Sequence, residues 1–296
     1  MALPYPKVHV VINPAAGQNE PILNVLNDVF HPAGVRWDIS LTHKSGDATR
    51  LAAAAAASGA DLIAAYGGDG TQMEVANGLL GTGVPQAILP GGTGNAMAHE
   101  LNVPINLRQA AELIVTSQKR CAVDLAKIGE QIFMLRAYCG LSAENAASRE
   151  SKDKYGQLAY VQAGLKFIRN VPETHYRATI DGEVIEGEAL IVFILNAGSI
   201  GGVMGIEIPE VGDVDVSDGY LDLYAITKGI KPLRAISKYL LHRENDDNVG
   251  VYCWKGKEIS IEAATEQDVW IDGELGGKTP FTITTLPQAL EIVVPD

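Results

Sequence analysis

Four short segments of this 296-residue chain concentrate small or oxygen-bearing residues. They are NPAAG (Asn13 to Gly17), SLTHKSGD (Ser40 to Asp47), GGDGT (Gly67 to Thr71) and PGGTGN (Pro90 to Asn95). Glycine has no Cβ, so its backbone N–H can approach an anionic oxygen closely, and a helix N-terminus adds partial positive charge. Phosphate is the guest such loops suit. In any one of them, a tight turn between strand and helix explains the glycines equally well. Two Gly-Gly loops, each with a threonine after its glycines, shift the reading toward a nucleotide.

The standard nucleotide fingerprints are missing. GGTGNAM carries Met97 where a dinucleotide motif needs its third glycine, and in DGELGGKTP Asp272 replaces the leading glycine of a P-loop while Pro280 follows in a strand context. Cys121, Cys139 and Cys253 are widely spaced, and the six histidines are scattered, His175 and His242 among them. Disulfide frameworks and zinc sites are therefore not expected.

The loops must be held by something, and the apolar pattern supplies it. VHVVIN reads as a buried strand, PILNVLNDVFHPAG as a helix ending at Gly34, and WDISLTH as a second strand. GDATRLAAAAAASGA is expected to be a helix with Asp47 capping its start and Gly59 its end. DLIAAYGG, TQMEVANGLLG and PQAILPGG continue as strand, helix and strand, and NAMAHELNV opens a further helix. This alternation is the signature of a parallel sheet covered by helices, in which ligands collect beyond the carboxyl ends of the strands. The four loops are expected at those ends, side by side.

Beyond about Asp124 the texture changes. QIFMLRAYCG, THYRATIDGEVIEGEALIVFILNAG, YLDLYAIT, VGVYCWKGKEISIEA, QDVWIDGEL and PFTITTL are strand-like, with glycine or Asp-Gly turns. Only YGQLAYVQAGLKFIRNV and KPLRAISKYLLHR read as helices there. The expected fold is thus α/β plus all-β: a Rossmann-like parallel-sheet domain over residues 1–126, then an antiparallel β-sandwich over 127–296. No repeat of 20 to 50 residues and no flexible linker is evident.

Composition narrows the partners. Hydrophobic residues make up 47% and charged residues 20%, the balance of a folded globular protein. A net charge of -13 disfavours a nucleic-acid partner, because that binding depends on lysine and arginine neutralising phosphates, and none is expected. MALPYPKVHVVINP has no basic region ahead of its strand pattern, and the alanine-rich stretch is interrupted by Ser58, Gly59 and Asp61. A cytoplasmic protein is the default expectation. KDKYGQLAYVQAGLKF reads as a solvated amphipathic helix rather than a membrane contact.

Taken in order, NPAAG, YGGDGTQMEVANGL and LPGGTGNAMAHEL, followed by VDLAKI, DVSDGYLDL and VWIDGELGG, resemble the bacterial diacylglycerol kinase and sphingosine kinase superfamily. The resemblance covers nearly the whole chain. It implies ATP bound in a cleft between the two domains, with Mg²⁺, and a long-chain lipid alcohol as acceptor. By similarity, Asn13, Gly17, Thr42, Gly67, Gly68, Asp69, Gly70, Thr71 and Thr93 contact ATP. Asp69 lies near the phosphates and the catalytic magnesium, and Asp124 borders the site as a metal or water-shell partner. Asp215, Asp218 and Tyr220 match positions holding a second, structural magnesium, partly through backbone carbonyls. Glu274 matches the general base, with Asp69 the other candidate for that role. A transient peripheral membrane contact and a homodimer complete the partner expectations.

The chemistry agrees with those roles. Phosphoryl transfer requires donor and acceptor oxygens in line, with magnesium and backbone dipoles spreading charge on the transferring group. A primary alcohol is a poor nucleophile until a base takes its proton, and one carboxylate suffices. From the residues alone, IDGE and SDGY are equally plain turns. The chain also departs from the family: Asn95-Ala96-Met97-Ala98-His99 stands where Asn-Asp-Phe-Ala-Arg is usual, which removes a carboxylate and a guanidinium. Two alternatives remain at this point. One is an NAD kinase, which shares GGDGT; the other is a homologue that binds nucleotide or lipid without catalysis.

Overall fold

A computed structural model describes residues 3–17, 20–140, 172–198, 214–228, 243–245 and 249–296. Two compact units are found, Met1–Leu125 with Pro287–Asp296, and Ala126–Leu286.

The first unit is built on parallel strands. β1 (Lys7–Ile12) pairs with β2 (Arg36–Leu41) on one side and β3 (Leu62–Gly67) on the other, and β3 pairs with β4 (Gln86–Pro90). All six residues of β3 are buried, as expected of a strand covered on both faces. The last strand, β17 (Phe281–Val293), joins through Ile292 opposite Gln86 of β4, again parallel. Between the strands run α1 (Ile22–Ala33), α2 (Asp47–Ala57) and α3 (Asp69–Leu79). Gly34 closes α1 in the left-handed region that glycine tolerates, as its position predicts.

Two details differ from the sequence reading. Gly46, not Asp47, precedes the first turn of α2; Asp47 sits inside the helix and turns its Oδ2 back to the N–H groups of His43 and Lys44. The cap is borrowed from α3, whose Glu74 carboxylate accepts from Gly46 N, Ala48 N and Ser45 Oγ. A carboxylate there suits the positive end of the helix dipole. The helix opened by NAMAHELNV is only the short α4 (Ala96–Glu100), and a longer one, α5 (Leu107–Thr116), follows with Asn106 Oδ1 accepting from Gln109 N.

The second unit is an antiparallel sandwich. One sheet holds β8 (Thr174–Ile180), β9 (Glu183–Ala189), β14 (Glu258–Ala263) and the first half of β17. The other runs β12 (Arg243–Asn245), β13 (Val249–Gly256), β11 (Leu221–Lys228), β10 (Ile191–Leu195), β7 (Arg136–Cys139), β15 (Asp268–Ile271) and β16 (Glu274–Lys278). β5 (Arg120–Ile128) leads into the unit and pairs with β6 (Gln131–Phe133). Alternate residues of both sheets meet in one core, with Ala178, Ile259, Ile261 and Ile283 facing Cys139, Ile194, Leu223, Trp254 and Ile271. The helix expected over residues 155–171 lies outside the described residues, and so does that over 231–243 except for Arg243, which opens the strand β12 instead.

Candidate active site

The carboxyl ends of the four parallel strands carry the four loops, in the order Thr42, Asn13, Gly67–Thr71 and Gly91–Asn95. The two Gly-Gly loops lie backbone against backbone. Gly91 N donates to Gly67 O at 3.0 Å, and a Cβ on Gly92 would fall 2.6 Å from Gly68 Cα. A Cβ on Gly91 would strike the Tyr66 ring at 2.9 Å, and one on Gly17 would meet the Tyr66 hydroxyl at 2.2 Å. These glycines are therefore required by packing before any ligand is considered. Gly70 is different, because beyond its own chain neighbours and helix backbone no atom lies within 4 Å of a Cβ placed there.

Tyr66 is the hub of this arrangement. Its ring is fully buried, its hydroxyl donates to Glu20 Oε1 at 2.7 Å, and burial followed by that carboxylate pushes its pKa up. The glycine pattern points to tight backbone approach but not to the aromatic ring against which two of the glycines press.

Gly67 ends β3, and α3 begins at Asp69 with Gly68 extended before it. Thr71 N and Gln72 N both return to Gly68 O, at 2.9 and 3.1 Å. The N–H groups of Gly68, Asp69 and Gly70 precede the first intrahelical bond and have no acceptor within the helix. Asn13 braces this turn, its Nδ2 donating to Thr71 Oγ1 at 3.1 Å while its Oδ1 accepts from Ala15 N. Thr42 is buried, with its N–H on Ile12 O. Thr93 is exposed at the tip of the second loop.

Asp69 connects the two loops. Its Oδ1 accepts from Met97 N at 3.3 Å, and its Oδ2 would lie 3.2 Å from a Cβ on Gly94, a tight contact that glycine avoids. Asn95 holds a left-handed φ of 46°, and its amide bonds Gly92 at both N and O. Ala96 is buried beside Met97, whereas His99 is exposed. Asp124 is fully buried and accepts from Gln288 N at 2.7 Å, which fixes a residue of the closing strand with φ of 48°.

In the second unit, Glu274 is exposed at the start of β16, opposite Ile271 and next to Leu275, which is 60% exposed. The hairpin is the Asp-Gly turn the sequence predicts, with φ of 48° at Asp272 and 90° at Gly273. Asp272 does more than turn. Its carboxylate accepts from Met134 N, Leu135 N and Arg136 N at 2.9, 3.1 and 2.9 Å, and its own N–H donates to Arg136 O. Burial pushes the Asp272 pKa up, against the pull of those three donors. The Asp-Gly turn signal accounts for the residue so completely that sequence reasoning passed over this role.

The loop of Asp215, Asp218 and Tyr220 is closed by its own groups. Asp215 Oδ1 accepts from Ser217 N and Oγ at 2.9 and 2.7 Å, and these bonds hold its pKa below the usual range. Asp218 Oδ1 accepts from Tyr220 N at 2.9 Å, and the other oxygen takes Lys255 Nζ at 2.6 Å. Lys257 Nζ stands 4.9 Å above the Tyr220 ring. Among the described residues no group of three or more His, Cys, Asp or Glu side chains is placed to hold a metal ion. No described helix is long and apolar enough to cross a membrane.

Two family models match the chain, one after the other. Residues 7–128 match the diacylglycerol kinase catalytic domain, and residues 136–294 match the YegS C-terminal NAD kinase beta sandwich-like domain. The diacylglycerol kinase of Staphylococcus saprophyticus is 29% identical over 98% of this chain and 96% of its own length. That of Staphylococcus epidermidis is 30% identical over 98% and 92%, and that of Bacillus subtilis 28% over 98% and 96%. A crystal structure of a diacylglycerol kinase from Bacillus anthracis superposes with a TM-score of 0.73 at 29% identity, over 98% of this chain and 97% of that one. A second structure from that organism, of a proposed diacylglycerol kinase, reaches 0.80 at 30% identity over 100% and 99%. These relatives do not favour the NAD kinase alternative. With both domains matched in order and along almost the full length, the chain belongs to the diacylglycerol kinase family.

Proposed function

We propose that the protein is a lipid kinase transferring the γ-phosphoryl group of ATP to a hydroxyl of diacylglycerol or a related long-chain lipid alcohol. The observation that carries this reading is the backbone contact between the two Gly-Gly loops at neighbouring strand ends. Beside it, Gly68, Asp69 and Gly70 form the positive end of an 11-residue helix, where their N–H groups have no acceptor within that helix. Asn13, Gly17, Thr42, Gly67 to Thr71 and Thr93 are the proposed nucleotide residues. The family relationship supplies the acceptor class.

Asp69 is the proposed holder of magnesium, directly or through water, because its hard oxygens lie beside the phosphate-facing turn and Gly94 leaves them room. Bound Mg²⁺ would neutralise charge on the phosphates during transfer. Asp124 is too deeply buried to act in the same way, so its proposed part is to fix the Gln288 backbone at the edge of the unit. Glu274, exposed on a rigid hairpin, is the proposed base for the lipid hydroxyl.

The test is transfer of label from γ-labelled ATP, with Mg²⁺, to a panel of diacylglycerol, sphingosine, other lipid alcohols and NAD, with Asp69→Asn and Glu274→Gln alongside. Labelled lipid that is lost in both variants supports the reading. Labelled NADP, or ATP binding without any product, overturns it.

A further inference from the structure

The carboxylates of the loop to which the family resemblance assigns a second magnesium already face a lysine. On the antiparallel pair β11–β13, Asp222 lies opposite Lys255. The Lys255 side chain runs to the turn preceding β11, where its Nζ donates to Asp218 Oδ2 at 2.6 Å and stands 3.6 Å from Asp222 Oδ2. Asp222 is 5% exposed, and that oxygen has no hydrogen-bond donor. The ammonium is the positive charge facing both carboxylates. Asp215 and Asp218 have meanwhile committed their other contacts to Ser217 and Tyr220 of the same turn.

We infer that Lys255 does in this protein what a structural divalent cation would do: its ammonium ties the Asp218 turn to Asp222 of the sheet, and the unit folds without metal there. A cation brought to the same carboxylates would meet an ammonium already in contact with them, and like charges at this range repel. The inference does not rest on the kinase reading, since it concerns the stability of the loop alone.

Thermal unfolding of the full chain without nucleotide tests it, in EDTA and in 10 mM MgCl₂ at matched ionic strength, with every protein, wild type at Lys255 included, carrying Asp69→Asn so that magnesium at the proposed catalytic position does not enter. The wild-type Tm is expected to be the same in both conditions. Lys255→Met keeps the aliphatic stem but leaves two facing carboxylates uncompensated, so its Tm is expected to fall by roughly 2–6 °C in EDTA and to recover with Mg²⁺. Lys255→Arg keeps the charge and is expected to behave as wild type, which guards against a methionine variant that fails to fold. A wild-type Tm that drops in EDTA and returns with Mg²⁺ would overturn the inference. So would a Lys255→Met protein as stable as wild type, or one indifferent to Mg²⁺.

Discussion

Gly92 and Gly70 separate what the loops need for folding from what they need for a ligand. Replacing Gly92 with alanine puts a methyl carbon 2.6 Å from Gly68 Cα and 3.1 Å from Asn95 Oδ1. Carbon atoms rest at about 3.5–4.0 Å, so the two loops must part by roughly 1 Å. Both neighbours belong to turns braced by hydrogen bonds, Gly68 by Thr71 and Gln72, and Asn95 by Gly92 itself. Overpacking of this kind costs about 1–3 kcal/mol, or roughly 3–9 °C in Tm. Gly70→Ala enters open space, lies in the first turn of α3, and removes backbone freedom from the unfolded chain, so stability should hold or rise by about 0.5–1 kcal/mol. Its Cβ tilts toward the helix N-terminus, where the phosphate is proposed to sit. Losing one close N–H contact to a charged group is worth about 1.5–3 kcal/mol, or ~10–100-fold in affinity. Calorimetric titration with an ATP analogue, paired with thermal unfolding, reads both effects. Gly92→Ala should lose stability and affinity together, and Gly70→Ala affinity alone. A Gly70→Ala protein that binds ATP as tightly as wild type would refute the proposed cradle, and an unchanged Tm for Gly92→Ala would refute the packing argument.

Glu274→Gln should lower kcat for lipid phosphorylation by ~10²–10⁴ while leaving the nucleotide Kd unchanged, measured by steady-state kinetics and titration; an equal loss in both would remove it as the base. Asp272→Ala strips the acceptor from three backbone N–H groups at Met134, Leu135 and Arg136, and chemical denaturation should show a loss of about 3 kcal/mol. Burial pushes the Cys139 and Cys253 thiols up to about 12 and about 11, so both stay protonated at pH 8 in the folded state. Iodoacetamide should then modify only Cys121, which is partly exposed, with all three labelled after unfolding; mass spectrometry of the native protein checks this.

The α/β half was legible because its signals are local. Buried runs such as LIAAY, the glycines that follow α1 and α2 and the Gly-Gly turns each report on a few adjacent residues, and parallel strands force their loops to a common end. The sandwich strands were legible from alternation and Asp-Gly turns for the same reason. Asp47 misled because an Asp beside a helix start satisfies the capping pattern, while the true partner, Glu74, stands 26 to 28 residues away on another helix. The small helix α4 was visible only as a beginning, since NAMAHELNV does not say how soon left-handed Asn102 ends the turn.

Residue types and their spacing determined the class of fold, the glycine loops, the hairpins and the residues able to meet phosphate and a hydroxyl. Tertiary structure alone decided which groups those residues touch. It brought Tyr66 under Gly17 and Gly91, and Asp272 onto backbone 136 to 138 residues earlier. It set Lys255 between Asp218 and Asp222, and it carried the closing strand back to β4 of the first unit. The physical reason is that turns and helix ends are settled by contacts within a few residues. Pairings across tens or hundreds of residues depend instead on loop closure and on which buried surface is left to cover, and neither is written in any short stretch of chain.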